Sequence, residues 1–404
     1  MRLSKNELYD FMFCLLILSI PYSNKAPNII LMALGVFFLA DYKAIKSLSF
    51  SRLKTWPLMI FLTFLAYFLL MGAVTGVLAD NKYGLFPLLV AIPILALKIT
   101  DFNRLLWAFL LSAVVLSVPA IYNLLSFYFK VEQLSLGEGT FINDLLGMER
   151  PYLGFLCVIS VFSALRLASE YPRYKVALLS IAVYIALFVF FISARISVLT
   201  ILAMTALYFI FYIKMSSIKR IGLVSVMLLI PALIILSSSN LRMRFFIGED
   251  WASSVKALKR YEPRLITWDC AHDIAIDHNF NPIVGLTSYS VLDDKLIECY
   301  GTKMENKHRA NFFIERKLNT HNQYICYYLL TGIIGLGLIL LFFASGLICY
   351  RQDFTKVAML VAIMFFFVVE NVMNRQMGNY YFILLLAFVS LHPKKQNPVA
   401  PPQA

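Results

Sequence analysis

A histidine at the mouth of a long apolar run is the residue of this chain best placed to move a proton. The string Asn319-Thr320-His321-Asn322-Gln323-Tyr324 joins a polar stretch to the hydrophobic run 324–350. An imidazole titrates near neutral pH, so at such a boundary it can serve as acid or base. The same spacing also suits a helix start, with Thr320 or Asn322 as N-cap and His321 as a bystander. No carboxylate lies near His321 in sequence. Glu370 is a candidate to orient the ring from another segment, because it ends a later apolar run together with Asn371, Asn374 and Arg375.

Two arginines sit where charge is costly. Arg195 lies in Phe191-Ile192-Ser193-Ala194-Arg195, between two apolar runs with almost no loop. Buried in a bilayer, it needs a partner or a wet cavity. It reads either as a snorkelling anchor at a helix end or as an anion site, since guanidinium stays charged and grips phosphate oxygens bidentately. Arg264 follows Pro263 at the expected start of a helix, whose N-terminus itself attracts anions. Its alternative is a surface salt bridge with Glu262 or Asp269. Arg242 and Arg244 fit a wider positive patch, or interfacial anchors.

The elements that must carry these residues are hydrophobic. Of 404 residues, 60% are hydrophobic and 15% charged, against about 45–50% and about 25% in soluble domains. The chain therefore reads as an all-α polytopic membrane protein. Apolar runs of roughly 17–25 residues predict about twelve transmembrane helices. They lie near 8–22, 27–41, 57–79, 84–98, 105–129, 151–169, 175–193, 196–213, 221–238, 324–350, 356–372 and 379–392. The stretch 11–20 runs without a small-residue cleavage site into the next apolar segment, so it reads as an uncleaved first helix rather than a signal peptide.

With the N-terminus inside, Lys43, Lys46, Arg52, Lys54, Arg173, Lys175, Lys219, Arg220, Arg351, Lys356, Lys394 and Lys395 fall on inner segments. The short outer loops hold only Lys25, Lys82, Lys130, Arg150, Arg195 and Arg375. That bias places both termini inside. The formal charge of +13 is then topology, and nucleic acid is not expected as a partner.

The division that follows is an N-terminal bundle over 1–238 (about nine helices), an outside loop over 239–322, about three helices over 323–392, and a Pro-rich disordered tail over 393–404. The outside loop holds four of the five histidines. Its Phe245, Trp251, Leu265 and Ile274 argue for a folded, functional segment rather than a disordered one. Residues 262–277 predict an amphipathic helix with Leu265, Trp268, His272, Ala275 and Ile276 on one face, followed by a turn at Pro282 and Gly285. Cys270 and Cys299 share this loop and could pair if the compartment is oxidising, but two cysteines alone leave that open. Cys14, Cys157, Cys326 and Cys349 read as packing residues, and no metal motif is present.

Taken together, these places resemble the O-antigen ligase and O-antigen polymerase superfamily of bacterial membrane glycosyltransferases. The resemblance rests on His321-Asn322 entering a helix followed by Gly332-Ile333-Ile334-Gly335, on Arg264 and Trp268 followed by Pro282 and Gly285, and on Ser193-Ala194-Arg195. The run Glu370-Asn371-Val372-Met373-Asn374-Arg375 resembles the closing segment of some members. Two departures concern loop geometry. Thr287 stands where a second glycine is common, and Ala194 separates the serine from its arginine.

The resemblance implies a GT-C-like fold of about twelve membrane helices with one long, partly helical periplasmic loop, in the bacterial inner membrane. It implies a glycan donor on undecaprenyl diphosphate and an acceptor hydroxyl on lipid A-core or another glycan, with no cofactor and no metal. His321 would be the general base, and Arg195 and Arg264 would hold the diphosphate. Asn322, Trp268, Glu370 and Arg375 would support them. An O-antigen ligase is the first reading, a repeat-unit polymerase the second. A transporter or flippase, the reading from another class, would require broken helices or mid-membrane charges in both halves.

Overall fold

In the computed structural model, residues 4–41, 46, 49–78, 86–131, 139–213, 215–237 and 262–391 are described, and among them there is no β-strand. The first apolar runs form α1 (Lys5–Ser19), α2 (Ala26–Ala40), α3 (Trp56–Val74), α4 (Phe86–Ala96) and α5 (Phe102–Val131). A short helix, α6 (Gly139–Leu146), precedes α7 (Arg150–Glu170), α8 (Lys175–Phe191), α9 (Arg195–Leu207) and α10 (Ser217–Ser237). A π-helical turn, Tyr208–Tyr212, continues α9. Next come α11 (Arg264–Ile276), α12 (Tyr289–Lys303) and α13 (Lys307–Glu315), then α14 (Gln323–Tyr350), α15 (Phe354–Val369) and α16 (Gln376–Leu391).

Local chemistry sets the helix starts. Ser4 and Glu7 form a reciprocal capping box on α1. Prolines occupy the first turns of α2, α3 and α7, where a missing N–H leaves no bond unmade. Asp353 and Asn322 cap α15 and α14 by accepting from Lys356 and Ile325 N–H.

Each of the twelve predicted apolar runs contains a helix, but they are not uniform. Among the described residues, six helices are long and apolar enough to cross a membrane by length and composition: α3, α5, α7, α8, α9 with its π turn, and α14. The helices α2, α4, α15 and α16 are apolar but shorter. The predicted run 356–372 stops early for a physical reason. Glu370 leaves helical geometry (φ −144°, ψ 148°), and the turn Val372–Asn374 intervenes before α16. The bend takes Glu370 and Asn371 out of the helix, and the Asn371 side chain and Met373 N–H meet Thr320 and Gln323.

Among the six long helices α7 is the most enclosed, packing against α5, α8, α9 and α15. Phe155 stacks on Phe366 of α15 at 4.3 Å between centroids, and the Ser160 hydroxyl donates to the Phe109 carbonyl at 2.8 Å. Helix α14 packs on α3, with Tyr327 edge-on to Phe64 at 4.9 Å. Val176, Val183 and Leu187 of α8 remain exposed, an apolar face suited to lipid.

The Pro282–Gly285 turn and the Gly332–Gly335 motif are two halves of one joint. Helix α14 breaks at Gly332 (φ 61°, ψ −161°), a region essentially restricted to glycine. The break frees backbone groups, and the turn takes them up. The Leu286 and Thr287 N–H groups donate to the Leu329 and Leu330 carbonyls at 2.8 and 2.9 Å, while Ile333 N–H donates to Pro282 O at 2.9 Å. A Cβ on Gly332 would strike the Ile283 backbone, and one on Gly285 would lie 2.5 Å from the Leu330 carbonyl carbon. Thr287 has φ 62°, which explains why glycine suits its position. Gly332→Ala is expected to lose about 1–3 kcal/mol from backbone strain and to lower the melting temperature measured in detergent. An unchanged melting temperature would mean that the joint tolerates a side chain.

The stretch after α10 is folded where it is described. Cys270 of α11 and Cys299 of α12 form a disulfide. Lys303 of α12 bridges Asp269 and Asp273 of α11 at 2.7 and 2.6 Å. The disulfide also corrects the predicted face of α11. Thr267, Cys270, Ala271 and Ile274 are its buried residues, whereas His272 and Ile276 are exposed. The cross-link to α12 fixes which stripe turns inward. Arg242, Arg244, Phe245, Trp251 and the tail 393–404 lie outside the described residues.

Candidate active site

His321 is presented by a rigid turn between α13 and α14. Helix α13 ends with Lys317 at φ 44°. Leu318 N–H donates to Phe313 O and Lys317 N–H to Ile314 O, both at 3.1 Å, a Schellman closure. Asn319 Oδ1 then accepts the His321 N–H at 2.9 Å. His321 adopts φ 45°, and Asn322 caps α14 by accepting Ile325 N–H at 3.0 Å. Asn322 is thus the cap of α14, and His321 stands outside the helix just before it.

The floor beneath the turn is polar and hydrogen-bonded, apart from the buried Gln323 Nε2, which has no hydrogen-bond partner among the described residues. Thr320 is fully buried. Its carbonyl accepts the Trp268 indole N–H at 2.9 Å and the Thr267 hydroxyl at 3.4 Å. Its hydroxyl pairs with the Asn371 side chain. Gln323 Oε1 accepts Met373 N–H at 2.8 Å. Trp268 and Asn371 thus clamp α11 and the 370–374 segment onto the backbone that carries His321.

The ring faces a buried carboxylate. His321 Nδ1 lies 3.5 Å from Glu370 Oε2, a long contact in ion-pair range rather than a tight hydrogen bond. This geometry directs Nε2 away from Glu370. Only 4% of Glu370 is exposed, and a buried charge of that kind requires partners. Arg264 Nη2 supplies one at 3.5 Å from Oε1. Arg375 acts on Glu370 electrostatically, while its own guanidinium pairs with Glu149 and lies 6.0 Å over the Tyr152 ring.

The two arginines meet on one glutamate. Arg195 Nη2 donates to Glu262 Oε2 at 2.7 Å, and Arg264 Nη1 donates to Glu262 Oε1 at 2.8 Å. Arg264 also donates from Nε and Nη2 to the Val369 carbonyl at 3.1 and 3.0 Å, which fixes α11 to the end of α15. The Ser193-Ala194-Arg195 step explains the placement of Arg195. Ser193 has φ 52°, and Ala194 N–H reaches back to Val189 O while Ser193 N–H reaches Phe190 O. The pattern ends α8 as glycine commonly would and starts α9 at Arg195 within a single residue. Arg195 is therefore a paired group, not a lone snorkelling anchor, and the Arg264–Glu262 bridge is largely buried rather than at the surface.

Burial acts to raise the Glu262 carboxyl, yet Arg264 and Arg195 outweigh it and hold the group below its ordinary value. A carboxylate depressed in this way contributes stability that is complete above its unfolded value, about 4.3, and lost as pH falls through its folded one. The bridge is thus intact at neutral pH.

A continuous line results, from the His321 ring through Glu370, Arg264 and Glu262 to Arg195, the last four alternating in charge. Buried Arg150, at the start of α7, adds a further positive charge felt by Arg195. Sequence reading treated Glu262 only as a surface partner for Arg264 and counted Arg150 as an outer-loop charge. Local signals existed in Glu262-Pro263-Arg264 and Glu149-Arg150-Pro151, but nothing in spacing shows that they converge. A cavity of about 710 Å³ lies elsewhere, at the far ends of α7, α9, α14 and α15, lined by Leu165, Tyr208, Tyr350 and Phe354 among others.

Against known proteins, a sequence model of the O-antigen ligase family matches residues 179–340. Over that segment the chain is similar to the O-antigen ligase family. No curated protein matches it. The matched O-antigen ligase segment contains Arg195, Glu262, Arg264, Trp268, His321, Asn322 and the Gly332 joint, while Glu370, Arg375 and Arg150 fall outside it. Together with the long apolar helices, this similarity supports a multi-pass membrane protein.

Proposed function

We propose that this protein is an O-antigen ligase, moving a glycan from undecaprenyl diphosphate to a lipid A-core hydroxyl at the periplasmic face of a bacterial inner membrane. The observation that carries the reading is the charged line itself, with a histidine backed by a buried carboxylate at one end and two arginines converging on a single anion at the other. His321 Nε2 accepts the proton of the acceptor hydroxyl as its oxygen attacks the anomeric carbon. Glu370 holds Nδ1 and balances the positive charge that develops on the ring, the logic of a base oriented by a carboxylate. The bond from the anomeric carbon to the phosphate oxygen breaks on the opposite side, so the configuration inverts. Arg195 and Arg264 stabilise the departing diphosphate by pre-placed charge.

The proposal includes about twelve membrane crossings, with the shorter apolar helices spanning a bilayer in company. In this reading helices α11 to α13 form a periplasmic cap, and the C-terminal end of α16 faces the cytoplasm. The Cys270–Cys299 disulfide supports an oxidising compartment for that cap. No metal or cofactor enters the scheme. Transport is disfavoured because the break in α14 is filled by the chain's own 282–287 backbone, so it leaves no site for cargo.

Glu370→Gln tests the ring support. It keeps the shape but removes the charge facing Nδ1, and is expected to lower kcat by about 10–100-fold, in the range of supporting partners elsewhere, with little change in KM. Equal kcat would remove Glu370 from the mechanism. Deletion of the gene separates the two family readings. Loss of a ligase leaves short lipopolysaccharide and polymer stranded on undecaprenyl diphosphate, which is expected. Lipid A-core bearing a single repeat would instead indicate a polymerase.

A further inference from the structure

The Glu262 carboxylate spans two arginines as a phosphate group would. Each of its oxygens takes one guanidinium, Oε2 from Arg195 at 2.7 Å and Oε1 from Arg264 at 2.8 Å. The two arginines come from different helices, and neither depends on Glu262 alone for its position. Arg264 is anchored twice on the Val369 carbonyl, and the Arg195 backbone is set by the closure of α8 at Ser193. The site is therefore built to remain in place when the glutamate leaves it.

We infer that Glu262 is a resident counter-anion of the diphosphate site, yielding both arginines to the incoming donor and recapturing them when the product leaves. The inference rests on the proposed use of Arg195 and Arg264 for a lipid diphosphate. A diphosphate needs the N–H groups that Glu262 now occupies, and two anions in one place repel strongly. Donor binding and the Glu262 bridge are thus mutually exclusive, and Glu262 weakens the affinity it helps to organise.

The exchange has a purpose in the second half of the cycle. Cleaving the glycosidic bond converts a phosphate diester into a terminal monoester, so the lipid diphosphate left behind carries more negative charge than the donor did. The arginines would hold that product more tightly than the substrate. A carboxylate waiting to reclaim them offsets the difference and favours release.

Inorganic pyrophosphate binding to the full-length protein in nanodiscs tests this without glycan or acceptor. Glu262→Gln is expected to bind pyrophosphate at least about tenfold more tightly than wild type, since like-charge juxtaposition is removed. Glu262→Asp keeps the charge but is one methylene short of bridging both arginines, and is expected to fall between the two. Unchanged or weaker binding by Glu262→Gln would overturn the inference and make Glu262 a positioning residue for the arginines. Should that variant fail to accumulate, Glu262→Asp binding no more tightly than wild type would overturn it equally. In transfer assays, Glu262→Gln should lower KM for the lipid-linked donor and lower kcat together, as release slows. The two proposals fail separately. Tighter pyrophosphate binding without any glycan transfer would sink the ligase reading alone, whereas normal transfer with unchanged pyrophosphate affinity would sink the counter-anion alone.

Discussion

Replacing His321 by alanine is expected to lower glycan transfer by about 10²–10⁴-fold, the usual worth of a general base, while the protein inserts and accumulates normally. The position has a complication that choice of substitution resolves. His321 has φ 45°, and alanine is less at ease in that region than asparagine. His321→Asn therefore serves as the companion variant, because it keeps the left-handed turn and a polar contact toward Glu370 but cannot take a proton at neutral pH. Both variants should lose transfer to a similar extent. Wild-type turnover in His321→Asn would reduce His321 to a structural residue of the α14 entrance. Activity lost in alanine alone would point to the turn rather than the base.

Replacing Arg195 by lysine is expected to lower kcat/KM for the lipid-linked donor by about 10–100-fold, from the ~1.5–3 kcal/mol of a charge-assisted hydrogen bond. An ammonium supplies a point charge but not the planar fork that accepts two oxygens. Arg264→Lys should be worse, because Arg264 does two things. It meets Glu262 and Glu370, and it ties α11 to the Val369 carbonyl through two further N–H groups. The melting temperature separates these effects: Arg195→Lys should leave it near wild type, and Arg264→Lys should lower it. Donor kinetics unaffected by Arg195→Lys would mean that Arg195 serves only the bridge to Glu262.

Much of this was legible before any coordinates. Hydropathy alone located a helix in each of twelve apolar runs, because length and composition dominate in a bilayer. Motif chemistry singled out His321, Arg195, Arg264, Trp268, Asn322 and Glu370, and the fold gathers them around one turn. Three things were not legible, each for a physical reason. Which face of α11 turns inward depends on the disulfide to α12 and not on periodicity. The early end of α15 depends on the Asn371 side chain and the Met373 N–H being drawn to Thr320 and Gln323, a tertiary effect. The convergence of Arg195 and Arg264 on Glu262 joins segments about 67 residues apart, and no local pattern encodes such a meeting. Conversely, the two departures from family spacing are explained by backbone geometry. Thr287 and Ser193 both occupy left-handed conformations that glycine would adopt more cheaply.

The most direct measurement is transfer by the purified protein in liposomes supplied with an undecaprenyl-diphosphate-linked glycan and lipid A-core. The expected result is glycosylated lipid A-core with an inverted anomeric centre, together with free undecaprenyl diphosphate in equal amount. Donor that stays intact and moves between leaflets, or glycan that is never joined to an acceptor hydroxyl, would contradict the assignment of His321, Arg195 and Arg264 to a lipid-linked glycan transferase.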